Sequence, residues 1–190
     1  MTKEVKQVKE QLLIEHCSPT LANIKVANLF RFFFERPEEV EEYVNYWNEK
    51  MNAKGVYLTS VKKCQDTALI YVYRKNSLKK VLQQFHIRQF LKKYGYHDFS
   101  IEGCIGYLRE QFQRSCGFPH EIGVFLGYPL EDIIGFIVNE GKNYKCVGCW
   151  KVYGDAKEAE KTFCKFKKCQ LIYRQQFLNG RDILKLTVVA

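Results

Sequence analysis

The sequence predicts an α+β protein whose sheet is mainly antiparallel. Residues 56–62 and 68–74 alternate between apolar and polar side chains on either side of Gln65-Asp66, a pattern typical of a β-hairpin. Apolar residues recur at helical spacing on both sides of this hairpin, for example in the segment 37–51. Because two strands are neighbours in sequence while helices separate the others, the order favours α+β over a parallel α/β fold.

The N-terminal part predicts a helix, a strand and a second helix. Residues 3–15 carry apolar side chains on one face and Lys and Glu on the other, and this helix is expected to end near Pro19, which disfavours a helical residue before it. The β-branched and aromatic content of residues 24–34 favours a strand in the second half of this segment. Pro37 and the two glutamates after it then open a helix that extends to about Met51.

The C-terminal part predicts three longer helices and a last strand. The helices cover residues 76–95, 100–114 and 155–178, the third beginning with the D-x-x-E spacing of a capping box. The tail at 183–188 alternates well enough to be a final strand. A further strand is expected at WKVYG, residues 150–154, after a helical segment at about 98–141, and one strand order compatible with this succession is ferredoxin-like.

Length and composition indicate a single globular domain over residues 1–190, with that helical segment inserted before the last main strand. The chain is 46% hydrophobic and has no apolar run near the roughly 18–20 residues of a membrane span. The N-terminus alternates charged and apolar residues and lacks the apolar stretch of a signal peptide. We therefore expect a cytoplasmic protein that does not associate with membranes.

Eight cysteines are many for 190 residues. Without an export signal, and in a chain too large to need covalent cross-links, we expect them to be reduced rather than paired. Cys64, Cys104 and Cys164 fit the role of small buried hydrophobes.

The formal net charge of +9 makes nucleic acid a partner to consider. From Lys151 to Lys185 there are nine Lys or Arg against four Asp or Glu, so the predicted helix at 155–178 has a basic face. That face could bind nucleic acid or an acidic partner, or it could simply be solvated. No zinc-finger spacing, RNP-type motif or nucleotide-binding glycine motif is present.

The segment Cys116–Asp155 holds most of the candidate chemistry. Cys146 and Cys149 form the only CxxC, whose thiols could share a metal ion, form a redox disulfide or simply pack. The pair His120-Glu121 behind a proline could be an acid–base pair or a carboxylate-oriented histidine, or could merely open a helix.

His16-Cys17 is a second candidate, near Lys25 in sequence. Cys17 could be a thiolate nucleophile with His120 as its base and Glu121 beside it, which gives one catalytic hypothesis. Alternatively, His16 favours a helix C-terminus as a cation while Cys17 is buried.

One site could combine these motifs if folding brings them together. Cys17, His120, Cys146 and Cys149 would form a Cys₃His set suited to zinc or iron, with His16 or Glu121 in support. Each lies where a turn is expected to meet a regular element, and functional side chains are frequent at such places.

Three motifs together resemble one family. They are HCSPTLANIKVANLF at 16–30, FPHEIGVFLGYPLEDIIGFI at 118–137 and YKCVGCWKVYGD at 144–155. The chain resembles the bacterial proteins catalogued as domain of unknown function 3793, over nearly its whole length. Asn23 stands where that family pattern is expected to have a glycine. The resemblance implies a stand-alone cytoplasmic protein and carries no activity. The residues it marks as distinctive are His16, Cys17, Pro19, Lys25, His120, Glu121, Cys146, Trp150 and Tyr153.

Two functions therefore remain open from the sequence. The first is a Cys/His site for metal binding or thiol chemistry, and the alternative is a non-catalytic binding module that uses the basic helix at 155–178. Whether the protein is an enzyme is left undetermined.

Overall fold

The structure, a computed structural model, describes residues 3–114 and 117–189, without the side chains of residues 3–9. The chain divides into two compact units, Met1–Ser77 with Cys169–Ala190, and Leu78–Lys168. The expected inserted segment at about 98–141 lies inside the second unit, while the expectation of one domain stays a prediction. No helix in the described residues is long and apolar enough to cross a membrane.

The α+β class is confirmed: many helices accompany one antiparallel sheet of three strands and one of two in the described residues. The first unit contains the larger sheet. Its elements are α1 (Lys3–Leu21), β1 (Ala27–Phe33), α2 (Glu38–Met51), a 3₁₀ turn (Asn52–Lys54), β2 (Val56–Lys63), β3 (Thr67–Arg74) and, near the C-terminus, α9 (Ile183–Leu186).

The larger sheet has the order β1-β3-β2, with β3 antiparallel to both neighbours. Because β1 and β2 run in the same direction and α2 connects them, this part is a split β-α-β unit. Residues such as Phe30 and Ile70, which are paired in the sheet, bury against Tyr43 and Trp47 of α2. Each large buried side chain of this kind contributes about 1.5–3 kcal/mol to stability.

The first helix is longer than predicted, because α1 continues through Pro19 to Leu21. Proline is in the last turn, where the hydroxyl of Ser18 donates to the carbonyl of Ile14. The helix ends just beyond it at Asn23, whose φ of 57° is left-handed and whose N–H donates to Thr20 O at 3.1 Å. Asparagine tolerates this conformation better than most residues, which explains how it replaces the expected glycine.

Arg74 joins the ends of three segments of the first unit. Its side chain is fully buried, and its guanidinium donates to four backbone carbonyls, at Thr20 (2.7 Å), Leu21, Lys54 (2.9 Å) and Val188 (2.7 Å). Thr20 and Leu21 are the last residues of α1, where unpaired carbonyls make the helix end electronegative. Arg74 thus satisfies buried acceptors that belong to the backbone rather than to a carboxylate.

The predicted last strand is wrong, because Ile183–Leu186 forms the short helix α9. Asp182 precedes it in an extended conformation and its side chain accepts from Leu184 N at 2.6 Å, which is an N-cap. Three strands of the expected ferredoxin-like sheet are present in the order β1-β3-β2, whereas the strand expected after the inserted helical segment lies at Lys151–Val152 in the separate sheet of two strands.

The second unit is mostly helical. Its elements are α4 (Phe85–Lys93), α5 (Ile101–Arg114), α6 (Ile122–Phe125), α7 (Leu130–Val138), β4 (Cys146–Val147) and β5 (Lys151–Val152). The helices α3 (Lys75–Gln83) and α8 (Ala156–Leu178) contain the two points at which the units divide. The predicted helices at 37–51, 100–114 and 155–178 are confirmed, and Asp155 caps α8 by accepting from Glu158 N at 3.1 Å.

The single helix predicted for residues 76–95 is wrong, since it is broken at Gln84. That residue is extended, with φ −67° and ψ 131°, between α3 and α4. Arg88 stabilises the break, because its Nε donates to Leu82 O at 3.0 Å and its guanidinium lies 5.3 Å from the centre of the Phe99 ring. Both contacts are outside the helical repeat, so periodicity alone could not predict them.

Candidate functional site

A cavity of about 490 Å³ in the second unit is lined almost entirely by the segment that holds the candidate chemistry. Its walls come from the chain before α6, from α6 and α7, and from the β4–β5 hairpin. The lining residues are Phe118, Pro119, His120, Ile122, Gly123, Tyr128, Asp132, Ile133, Phe136, Val147, Gly148, Cys149, Trp150 and Lys151.

Asp132 holds the hairpin wall against α7. It lies in the first turn of that helix and is only 3% exposed. One carboxylate oxygen accepts from the backbone N–H groups of Tyr153 and Gly154 at 2.7 and 2.8 Å, and the other accepts from Trp150 Nε1 at 2.7 Å. A buried carboxylate needs such donors, and hydrogen bonds to a charged group are stronger than neutral ones. Asp132 is thus a positioning residue for the aromatic wall.

Trp150 is the largest side chain of that wall. Its ring stacks on Tyr128 with centroids 4.7 Å apart and meets Phe163 edge-on at 4.6 Å. Gly148 has no side chain because a Cβ there would collide with the Phe163 ring. The glycine between the two cysteines is therefore explained by packing of the hairpin on α8.

The cavity lining also carries basic groups next to an aromatic ring. The exposed imidazole of His120 lies 5.5 Å from the Phe136 ring, measured between centroids. Lys151 Nζ lies 5.8 Å from the centre of the same ring and 5.0 Å from that of Tyr144, and it donates to Gly141 O at 2.7 Å. An ammonium group such as that of Lys151 over an aromatic face is electrostatically favourable.

The two cysteines of the CxxC differ in exposure. Cys146 is in β4, paired with Val152, and is half-buried; Cys149 is exposed in the hairpin turn and lines the cavity. Tyr128 donates its hydroxyl to Cys149 O at 3.3 Å, and burial, with a smaller contribution from the Cys149 thiol, raises the pKa of Tyr128 to about 12. Within the described residues, the cysteine that lines this cavity is Cys149.

Cys17 is in a different setting, in the core of the first unit. It is 0% exposed, and burial raises the pKa of its thiol far above the usual range, with Lys25 opposing this only weakly. His16 is exposed and stacks on Phe30, with centroids 5.4 Å apart. Burial opposes the thiolate that the sequence hypothesis required, because a thiolate is the nucleophilic form.

Glu121 and His120 have different surroundings although they are adjacent. Glu121 is 3% exposed and accepts from the hydroxyl of Tyr96 at 3.2 Å, while His120 lines the cavity. Glu121 also precedes α6 as its N-terminal residue, as the helix-start interpretation expected. Tyr153 has a structural contact as well, since its hydroxyl donates to Lys142 O at 2.9 Å.

Among the described residues, no group of three or more His, Cys, Asp or Glu side chains could hold a metal ion. The hypothesis of a zinc or iron site at Cys17, His120, Cys146 and Cys149 finds no support there. Cys116 lies outside the described residues, and the other seven cysteines form no disulfide bond.

Sequence reasoning selected His120, Cys149 and Trp150 but missed three important residues of the cavity. These are Asp132, Phe136 and Lys151. Asp132 and Phe136 are four residues apart and therefore share a face of α7. An acidic residue on an otherwise apolar helix face indicates that hydrogen-bond donors are buried beside it, because a buried carboxylate needs such partners. Lys151 had no comparable signal, because its position depends on the fold of the hairpin.

Comparison with curated proteins gave no match, and neither did comparison with solved structures. The family described as "Protein of unknown function (DUF3793)" matches residues 13–187, which include the second unit, most of the first and the whole cavity lining. Since this match covers nearly the whole chain, the protein belongs to the DUF3793 family.

Proposed function

We propose that the protein binds a small aromatic molecule bearing an anionic group in the cavity of the second unit. The observation that carries this proposal is the aromatic wall held by Asp132, with the basic side chains of Lys151 and His120 in the same cavity lining. A volume of about 490 Å³ is within the range of roughly 300–1,000 Å³ that is usual for ligand sites.

The apolar walls favour a planar, apolar ligand body. Phe118, Phe136, Tyr128 and Trp150 all line the cavity, and Trp150 is held by stacking and by a hydrogen bond rather than by loose packing. A ligand ring would gain both area burial and an offset or edge-on arrangement with these rings. Because the wall is preorganised, little conformational entropy would be lost on binding.

The polar groups favour an anionic or strongly accepting substituent. Both oxygens of Asp132 already accept from backbone or indole donors, so they are occupied within the wall. The basic side chains of Lys151 and His120 remain in the lining. A carboxylate on the ligand would complement them.

Tryptophan fluorescence titration with 2-naphthoate, and with neutral 2-naphthol for comparison, tests this proposal. Val147 lines the cavity and is 60% exposed, so Val147→Trp should fill it without disturbing a core. Val138→Trp is the matched control, since Val138 is 74% exposed in the same unit and does not line this cavity. For each variant, the fluorescence measured without ligand is subtracted, which removes the contribution of the added indole.

We expect naphthoate to bind more tightly than naphthol, and Val147→Trp to weaken naphthoate binding at least tenfold while Val138→Trp does not. Lys151→Met should remove the preference for the anion and leave naphthol binding in place. No binding at millimolar naphthoate, or equal binding by both tryptophan variants, would refute the proposal.

A second candidate function is thiol chemistry at Cys149. The observation that favours it is that an exposed thiol and the imidazole of His120 line the same cavity. An imidazole near a thiol promotes formation of the nucleophilic thiolate. This keeps the Cys/His hypothesis of the sequence but transfers the nucleophile from Cys17 to Cys149.

Alkylation kinetics with iodoacetamide test this candidate. Cys164 is the matched control, because it is also exposed and in the second unit but does not line the cavity. We expect Cys149 to react several times faster than Cys164 near pH 7, and His120→Ala to remove that difference. Equal rates for the two thiols would exclude an activated Cys149.

A further inference from the structure

We propose that the outward faces of α3 and α4 in the second unit form a binding surface for single-stranded nucleic acid, with Phe85 as a base-stacking platform. None of the residues that line the cavity belongs to these two helices. The surface thus goes beyond the proposed ligand site, and either can fail without the other.

The first observation is charge. Residues 78–97 contain five Lys or Arg and no Asp or Glu. Within the described residues, Lys79, Lys80, Lys92 and Lys93 have no carboxylate in an ion pair with them and are exposed. Such a surface attracts phosphates, because no carboxylate of the described residues forms an ion pair with these lysines.

The second observation is how the helices are oriented. The buried side chains are Leu78 and Leu82 in α3, and Ile87, Phe90 and Leu91 in α4. The opposite face of α4 consequently carries Phe85, His86, Gln89, Lys92 and Lys93, all of them exposed. This face extends over about 12 Å from Phe85 to Lys93 at 1.5 Å per residue.

Phe85 decides which kind of partner the surface fits. It is 76% exposed, more than any other large apolar side chain in the described residues. A protein-docking surface would have further apolar residues around it, whereas here its neighbours on the face are glutamine, histidine and lysine. An isolated aromatic ring within a basic surface is typical of sites where a nucleobase stacks while lysines neutralise phosphates.

The break between the helices is held in place, so the ring and the lysines have defined positions. Arg88 donates to Leu82 O at 3.0 Å and lies over Phe99, which fixes the start of α4 relative to the end of α3. Arg88 is therefore used internally, and the exposed lysines provide the contacts to phosphate.

The basic face of α8 is a weaker candidate for binding nucleic acid than the sequence indicated. Glu158 and Glu160 are interspersed among its lysines, and Lys161 pairs with Glu158 at 2.6 Å. The face of α4, which sequence analysis did not select, has no acidic residue.

Fluorescence anisotropy with labelled U20, dT20 and a 20-base-pair duplex, over about 50–300 mM salt, tests this proposal in the full chain. Phe85→Ala removes the ring, and Phe33→Ala is its matched control, since Phe33 is 68% exposed in the first unit. Lys92→Glu with Lys93→Glu removes the charge, and Lys165→Glu with Lys167→Glu is the corresponding control on α8.

We expect wild type to prefer single strands over the duplex, and Phe85→Ala to weaken that binding about fivefold or more, as base stacking on an aromatic ring predicts. The double lysine variant should lower the slope of log K against log salt by about 1.4, since each phosphate contact contributes about 0.7 for single strands. Both control variants should bind as wild type does, and all variants should retain the wild-type melting temperature because the residues are exposed.

Three results would overturn the proposal. The first is no binding at about 50 mM salt. The second is unchanged affinity in Phe85→Ala together with equal affinity for heparin, which would indicate nonspecific attraction of polyanions. The third is an equal loss in the α8 control, which would assign the effect to net charge.

Discussion

Replacing Asp132 by asparagine tests whether a single carboxylate holds the cavity wall. The side chain accepts three hydrogen bonds, two from backbone N–H groups and one from the Trp150 indole. Asparagine keeps one acceptor oxygen. If that oxygen takes the two backbone donors, the new amide NH₂ faces the indole N–H, and a donor opposes a donor.

The magnitude follows from this loss. A hydrogen bond to a charged group contributes about 1.5–3 kcal/mol, and leaving a partly buried donor unpaired adds to the loss. We therefore expect Asp132→Asn to lower the free energy of unfolding of the second unit by about 2–4 kcal/mol. With a urea dependence of about 2 kcal/mol per molar, the midpoint should fall by about 1 M or more.

The assay can isolate this unit because the chain has two tryptophans, Trp47 and Trp150. In a Trp47→Phe background the emission reports only on Trp150, and urea titration then gives the midpoint. Glu131→Gln is the control, since Glu131 is the exposed carboxylate next in sequence and should change stability by less than about 0.5 kcal/mol. A midpoint shift below about 0.3 M for Asp132→Asn, with unchanged emission, would refute this role for the carboxylate.

Three further predictions concern buried polar groups and thiols. Arg74→Met leaves several buried carbonyls without a donor and should cost about 3–5 kcal/mol in urea unfolding, whereas the exposed Arg31→Met should be nearly neutral; a loss of under 1 kcal/mol would contradict the carbonyl contacts. In the native protein at pH 8, maleimide labelling with mass spectrometry should find the exposed thiols modified first, and denaturation without reductant should expose all eight; native disulfides would contradict this. These exposed thiols are Cys64, Cys149 and Cys164, so the expectation of a buried side chain is wrong for Cys64 and Cys164, whereas Cys104 is buried. Burial raises the pKa of Cys104 from 9.0 to about 12, so the unfolded chain loses this proton first and stability should fall as pH rises from about 9 to 11, by up to about 1.4 kcal/mol per pH unit. Cys104→Ala should flatten that decline in urea midpoints, and parallel pH curves for the two proteins would contradict the assignment.

Helices and strands were predictable where the apolar residues have a clear periodicity and a residue such as proline marks where the element begins or ends. The hairpin of β2 and β3 has alternating side chains around a polar turn, and α2 begins after a proline with acidic residues behind it. The errors lie where two signals compete. Proline predicted an early end for α1, but the helix continues two residues beyond Pro19 and ends at Asn23, which has a left-handed conformation. Residues 183–188 alternate for too few positions to distinguish a strand from a helical turn, and the Asp182 cap decides for the helix.

The candidate site was predictable in location but not in mechanism. Cysteine spacing, glycines and a histidine marked the right segment, because unusual residues concentrate where backbone and side chains are constrained. Which of them face one cavity depends on tertiary contacts such as those of Asp132, and spacing does not encode these. The same limit explains Cys17, whose sequence neighbours favour reactivity while its burial in the core opposes ionisation.

The contacts of Arg74 have a consequence for the order in which the chain can fold during synthesis. The first unit is discontinuous, and one of the acceptors of Arg74 is the carbonyl of Val188. The second unit is continuous and its residues all emerge from the ribosome before that carbonyl does. Domains usually fold from the N-terminus onward during translation. Here the contact between Arg74 and the Val188 carbonyl can form only after Val188 has been added, when every residue of the second unit has already been synthesised.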